Sequence, residues 1–195
     1  MSPLENLIKL FGTNNYLILN ELDQIENRYE ISLGHKLSER DDKDDSYYPQ
    51  FENAIRTDAK IMAQYYELFY CLENAIRALI NETMETALGE TWWTSGKVPE
   101  NVNEEITKRI KKETDSGFSK RSIDRIDYTT FGELGEIIKS NWDIFGSIFN
   151  SKKAVETVMN RLNTLRGPIA HCCTFSEDEV LRLRLSVRDW FRLME

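Results

Sequence analysis

The chain has 195 residues, 41% apolar and 11% aromatic, with only 9 Gly and 4 Pro. That suffices for one large domain, or a domain with an arm, and disfavours a strand-and-turn fold. Three cysteines argue against a disulfide framework and for a reducing compartment, and no stretch approaches the roughly 18 apolar residues that span a bilayer. The net charge of −8 speaks against a nucleic-acid ligand, but it is unevenly spread. Residues 1–57 hold 6 basic and 11 acidic side chains, residues 106–125 hold 7 and 3, and residues 151–195 hold 8 and 6. Local fields, rather than net charge, decide where an anion sits.

The opening MSPLENLIKLFG carries Glu5 and Lys9 inside its apolar run, so no secretory signal is expected and a cytoplasmic location is. Leu4, Leu7, Ile8 and Phe11, then Leu22, Ile25 and Tyr29, recur at helical spacing, predicting helices near 3–11 and 15–31. The acidic LSERDDKDDSYYPQ reads as an exposed linker. Residues 1–50 are therefore expected to form a helical arm and linker, and residues 51–195 the main bundle. His35, after Gly34 and without an obvious partner, reads as a surface histidine.

Asp58 can cap the next helix and Gly89 can end it. Between them Ile61, Tyr65, Leu68, Leu72, Ile76, Leu79 and Met84 form one apolar stripe, expected to be core. Trp92 and Trp93, in a loop with Gly96 and Pro99, read as anchors packed on the bundle, with base stacking as the functional alternative. VNEEITKRIKKE reads as a short helix, and TDSGFSKRSIDRID as a polar, loosely held segment. Thr130 with Glu133, and Ser176 with Glu179, have capping-box spacing. Ser151 can cap a helix carrying Val155, Val158, Leu162 and Leu165, which Gly167 and Pro168 are expected to stop just after Arg166. Val180, Leu183, Val187, Trp190 and Phe191 should face the core from the last helix.

The sequence has no Gly-rich phosphate loop, GxSxG, HExxH or CxxC pair. The chemistry that remains centres on Arg166 and His171, five positions apart. On a continuous helix they would diverge by about 140°, at roughly 100° per residue. An interruption at Gly167 and Pro168 would bring them to one mouth. Histidine titrates near neutral pH and can take or give a proton. Arginine offers a planar fork to phosphate oxygens. Together they suit phosphodiester cleavage by an RNA 2′-hydroxyl, which needs no metal. The competing reading is a helix-end arginine and a backbone-bonded histidine. Cys172 and Cys173 beside His171 invite a zinc site, but contiguous ligands and a remote Cys71 do not supply four. No metal and no cofactor are expected.

The run Arg166-Gly-Pro-Ile-Ala-His171, after one helix and before a capped last one, resembles the RxxxxH motif of the HEPN superfamily. ELFYCLENAIRALI, the Trp-Trp loop and DYTTFGELGEII extend the resemblance over roughly residues 55–195, toward a branch also found appended to a eukaryotic nuclear endoribonuclease. The resemblance implies an antiparallel helical bundle that dimerises with its RxxxxH motifs facing each other. It also implies metal-independent RNA cleavage leaving a 2′,3′-cyclic phosphate, as in toxin–antitoxin, abortive-infection and CRISPR systems. His171 would then transfer a proton, Arg166 would hold the phosphate, and Glu73 would sit beside the arginine. Glu73 and Arg77 are equally an ordinary i,i+4 pair.

Two positions depart from the pattern. Gly167 stands where many active members have a polar residue, and Cys173 where some toxins carry a modifiable tyrosine. The leading expectation is an RNA endonuclease acting as a homodimer, with RNA and a regulatory protein as partners and no membrane. The alternatives are a non-catalytic HEPN module for dimerisation and nucleotide or RNA binding, and an inhibitor using residues 1–57 as an acidic decoy.

Overall fold

The computed structural model describes residues 3–31, 33 and 48–195; in the first helix, side chains are described for Phe11, Asn15 and from residue 17 onward. His35 and most of the acidic linker lie outside the described residues. Every regular element among the described residues is helical. The chain divides into two compact units, Met1–Glu52 and Asn53–Glu195.

The first unit carries one helix, α1 (Pro3–Tyr29), where the spacing predicts two. Gly12 weakens a helix by about 0.5–1 kcal/mol relative to alanine, but glycine keeps its N–H and does not break the ladder. The helix ends at Glu30, which takes φ 51°. The Leu33 N–H then donates to Glu26 Oε1 at 2.6 Å.

The second unit is built on α2 (Asn53–Leu88), 36 residues long. It begins five residues before Asp58, so that residue lies inside the helix. Gly89 closes it at φ +84° with its N–H on the Glu85 carbonyl, as the sequence predicts. The buried stripe is Phe69, Leu72, Ile76, Ile80 and Met84. Tyr65, Leu68 and Leu79 pack partly against it, whereas Ile61 is 48% exposed. The predicted stripe thus begins one turn too early, at the exposed Ile61.

Trp92 is buried and donates Nε1–H to Asn81 Oδ1 at 3.0 Å. Trp93 donates to Asn103 Oδ1 at 3.1 Å. Both indoles anchor their loop, Trp92 buried and Trp93 half-buried.

Next come α3 (Glu100–Asp115), α4 (Phe131–Ser140), the short α5 (Trp142–Phe145), α6 (Lys152–Ala170) and α7 (Glu177–Arg192). Thr130–Glu133 and Ser176–Glu179 form complete capping boxes, and the Ser151 hydroxyl accepts from the Ala154 N–H. Helices α4, α5 and α6 pack on α2, and α7 packs on α6. The core they enclose includes Ile76, Phe131, Ile137, Leu162 and Leu183. Each such side chain is worth roughly 1.5–3 kcal/mol of apolar transfer. Leu183 and Trp190 point inward from α7 as expected, but Phe191 is 52% exposed.

The segment after α3 is held more firmly than its polarity suggests. Residues Arg125–Tyr128 form a 3₁₀ turn, Arg121 pairs with Glu113, and the Arg121 guanidinium lies 4.9 Å from the Tyr128 ring centroid.

An arginine-lined cleft as candidate active site

Five residues of α2 recur at helical spacing: Tyr66, Tyr70, Glu73, Asn74 and Arg77. They form a second face beside the apolar stripe. This face lines a cleft of about 760 Å³. The opposite wall comes from Arg109 of α3 and the 121–130 segment, and one end is closed by Arg166, Ile169 and Ala170 of α6. Four arginines and two carboxylates, Glu73 and Asp127, border it. In a chain of net charge −8, this cleft gathers four guanidiniums.

Glu73 links two of those arginines. Its Oε1 accepts from Arg77 Nη2, and its Oε2 lies 3.3 Å from Arg166 Nε. The carboxylate is 12% exposed, so both ion pairs are largely shielded from solvent. Arg77 also donates to the Thr129 carbonyl at 3.2 Å, fixing its guanidinium against the segment that leads into α4.

The other cleft arginines are also tied to carboxylates. Arg109 makes a two-pronged bond to Glu133, at 2.7 and 2.8 Å, and reaches the Tyr128 carbonyl at 3.0 Å. That bond, against the opposing effect of burial, raises the Arg109 pKa. Burial alone would push the Glu133 carboxyl up. The Arg109 bond, the Thr130 N–H and the Arg109 charge together hold it below its ordinary value. Arg121 likewise holds the Glu113 carboxyl down. Arg166 differs: Glu73 faces its Nε, and neither terminal nitrogen makes a hydrogen bond among the described residues. It retains an open fork, 38% exposed, at the edge of the cleft.

His171 stands elsewhere. The expected helix break after Arg166 does not occur, and α6 runs through Gly167 and Pro168 to Ala170. A proline disfavours helical backbone in the residue before it by clashing with that residue's Cβ, and Gly167 has none. Pro168 lies in the last turn, where few downstream bonds remain to be lost. Arg166 and His171 therefore keep nearly the angular offset of an unbroken helix and do not meet at one mouth. His171 is the C-cap, exposed, with its backbone N–H on the Gly167 carbonyl at 3.0 Å. Its imidazole makes no hydrogen bond among the described residues, and Ala170, not His171, borders the cleft. The turn beyond is pinned by the Cys173 N–H on the Pro168 carbonyl, at 2.9 Å, and by Phe175 packed edge-on to Tyr65.

Of the three residues singled out from the sequence, the fold joins Glu73 to Arg166 and leaves His171 on the adjacent surface. The expected i,i+4 pair of Glu73 and Arg77 is present, while sequence reasoning missed Arg109, Tyr66 and Tyr70. The available signal was the 66–70–73–77 spacing, a polar and aromatic face running beside the apolar one. The excess of basic residues over 106–125 also pointed to this wall, through Arg109 and Arg121.

A model of the family described as Swt1-like HEPN matches residues 67–195. No curated protein matches the chain, and no solved structure does. No described helix is long and apolar enough to cross a membrane.

Proposed function

Because the chain belongs to the Swt1-like HEPN family, we propose that it is a metal-independent endoribonuclease whose site is completed by a second copy of the chain. The observation that carries this reading is the open Arg166 fork, braced at Nε by Glu73 and set in an arginine-lined cleft. A guanidinium so placed suits two oxygens of a phosphodiester. Attack of the 2′-oxygen forms its bond to phosphorus and breaks the bond to the 5′-oxygen. One group accepts the 2′-hydroxyl proton, another gives a proton to the departing 5′-oxygen, and a 2′,3′-cyclic phosphate remains. His171 has the chemistry for proton transfer near neutral pH. Its exposed position beside its own cleft fits a role at the site of a facing partner. In a symmetric dimer each site takes Arg166 from one chain and His171 from the other, His171 accepting the 2′-hydroxyl proton and water giving one to the 5′-oxygen.

The setting we infer is the cytoplasm, in a bacterial defence or toxin–antitoxin system, as with many HEPN ribonucleases. Residues 1–50 are read as an arm available to a regulatory protein. One observation favours a second reading, a non-catalytic HEPN module for dimerisation and nucleotide or RNA binding: His171 lacks any group to orient it among the described residues. Incubating single-stranded RNA in EDTA, followed by end-group analysis, separates the two. A nuclease leaves cyclic phosphate ends, and His171→Ala lowers the rate by about 10²–10⁴-fold. A dimer that binds RNA without cutting it is the module.

A further inference from the structure

The cleft carries one feature that phosphate binding leaves unexplained. Tyr66 and Tyr70, one helical turn apart on α2, are 60% and 59% exposed. Neighbouring aromatics on the same helix are covered: Phe69 packs on Phe131, and Tyr65 on Phe175. Tyr128, also on the cleft, is buried beneath the Arg121 guanidinium. The Tyr66 and Tyr70 rings lie 6.1 Å apart with a 35° tilt, closer to parallel than to edge-on. Both residues line the cleft that the arginines border. Tyr70 precedes Glu73 by less than a turn, a rise of about 4.5 Å, and Glu73 is the residue that braces Arg166.

We propose that Tyr66 and Tyr70 are a stacking platform for a nucleobase of single-stranded RNA, next to the phosphate held by Arg166. The proposal rests on the RNA-binding part of the reading above and extends it to the strand form recognised. Aromatic faces accept any base, because every base has a π-face. A base must be unstacked to reach them, so the platform selects single strands over duplex without selecting sequence. The Arg166 fork holds the backbone while the rings hold the base, a combination general to single-strand binders.

The test uses the full chain carrying His171→Ala, so that binding is read without cleavage. Fluorescence anisotropy compares a labelled single-stranded RNA with the same strand made abasic. Tyr66→Ala and Tyr70→Ala should each weaken binding of the normal strand by about 5–100-fold, and the Tyr→Phe variants by no more than about twofold. On the abasic strand the alanine variants should bind like their parent. Alanine variants that keep the parent's affinity for the normal strand overturn the platform and leave the RNA reading intact. An equal loss on both strands also overturns it, since the rings would then act through the fold. A wild-type chain that binds neither strand removes the RNA reading, and the platform with it.

Discussion

The Glu73 carboxylate, 3.3 Å from Arg166 Nε, joins the middle of α2 to the C-terminal part of α6 across 93 positions of sequence. The same carboxylate holds Arg77, so it fixes two guanidiniums and leaves the Arg166 terminal nitrogens without a hydrogen bond among the described residues. Glu73 is thus a positioning residue, and its substitution should touch both stability and activity. Glu73→Gln keeps an acceptor for Arg77 but removes the charge facing two partly buried cations. It should cost about 1–3 kcal/mol in a denaturant titration and slow RNA cleavage by about 10–100-fold through a loosened arginine. Loss of stability with full activity would show that Glu73 only braces the fold.

Arg166→Lys preserves the positive charge and discards the planar fork. Cleavage and RNA affinity should each fall by about 10–100-fold, the size of a lost charge-assisted bond. Stability should fall by no more than about 1 kcal/mol, since lysine keeps a positive charge facing Glu73. Equal activity of lysine and arginine would mean that only charge is needed there.

Much of the fold was open to view in the sequence. The capping boxes at Thr130 and Ser176 lie within one helical turn, so spacing alone reveals them. Leu162 and Leu165 follow from period. Glu73 beside Arg166 came from family resemblance, since no local rule links positions so far apart. What misled was the Gly167–Pro168 pair. Read separately, glycine and proline both stop helices; read together, the missing Cβ of Gly167 removes one of the clashes by which Pro168 would end the helix. That local effect keeps α6 intact and moves His171 away from the mouth it was expected to share. The tyrosine face of α2 was hidden because Tyr66 and Tyr70 alternate with the core-facing Phe69 and Leu72, and composition does not separate an aromatic that packs from one left bare.

Glu133 gives a prediction in pH. Its carboxyl is held below the ordinary glutamate value of 4.5 in the folded chain. The folded state therefore binds the proton less readily than the unfolded one, and the Arg109 pair contributes stability above the unfolded pKa. That contribution should disappear as pH falls from about 4.5 through the lowered folded value. In parallel denaturant titrations, the advantage of wild type over Glu133→Gln should be full at pH 7 and vanish in strong acid. An advantage independent of pH would assign it to packing rather than to the charge.

The shared site requires a dimer. Light scattering at micromolar concentration should give twice the 22.9 kDa chain mass. A strict monomer that still cleaves RNA would place catalysis within one chain.

The most direct measurement is complementation between two inactive chains. Arg166→Ala and His171→Ala are co-expressed with different tags, and the mixed dimer is purified through both. One of its two sites then combines an intact Arg166 with an intact His171 from the other chain. Each homodimer should be inactive, and the mixed dimer should recover RNA cleavage in EDTA, with cyclic phosphate ends. A mixed dimer as inactive as its parents, when the wild-type dimer cuts, would contradict a site built from Arg166 of one chain and His171 of its partner.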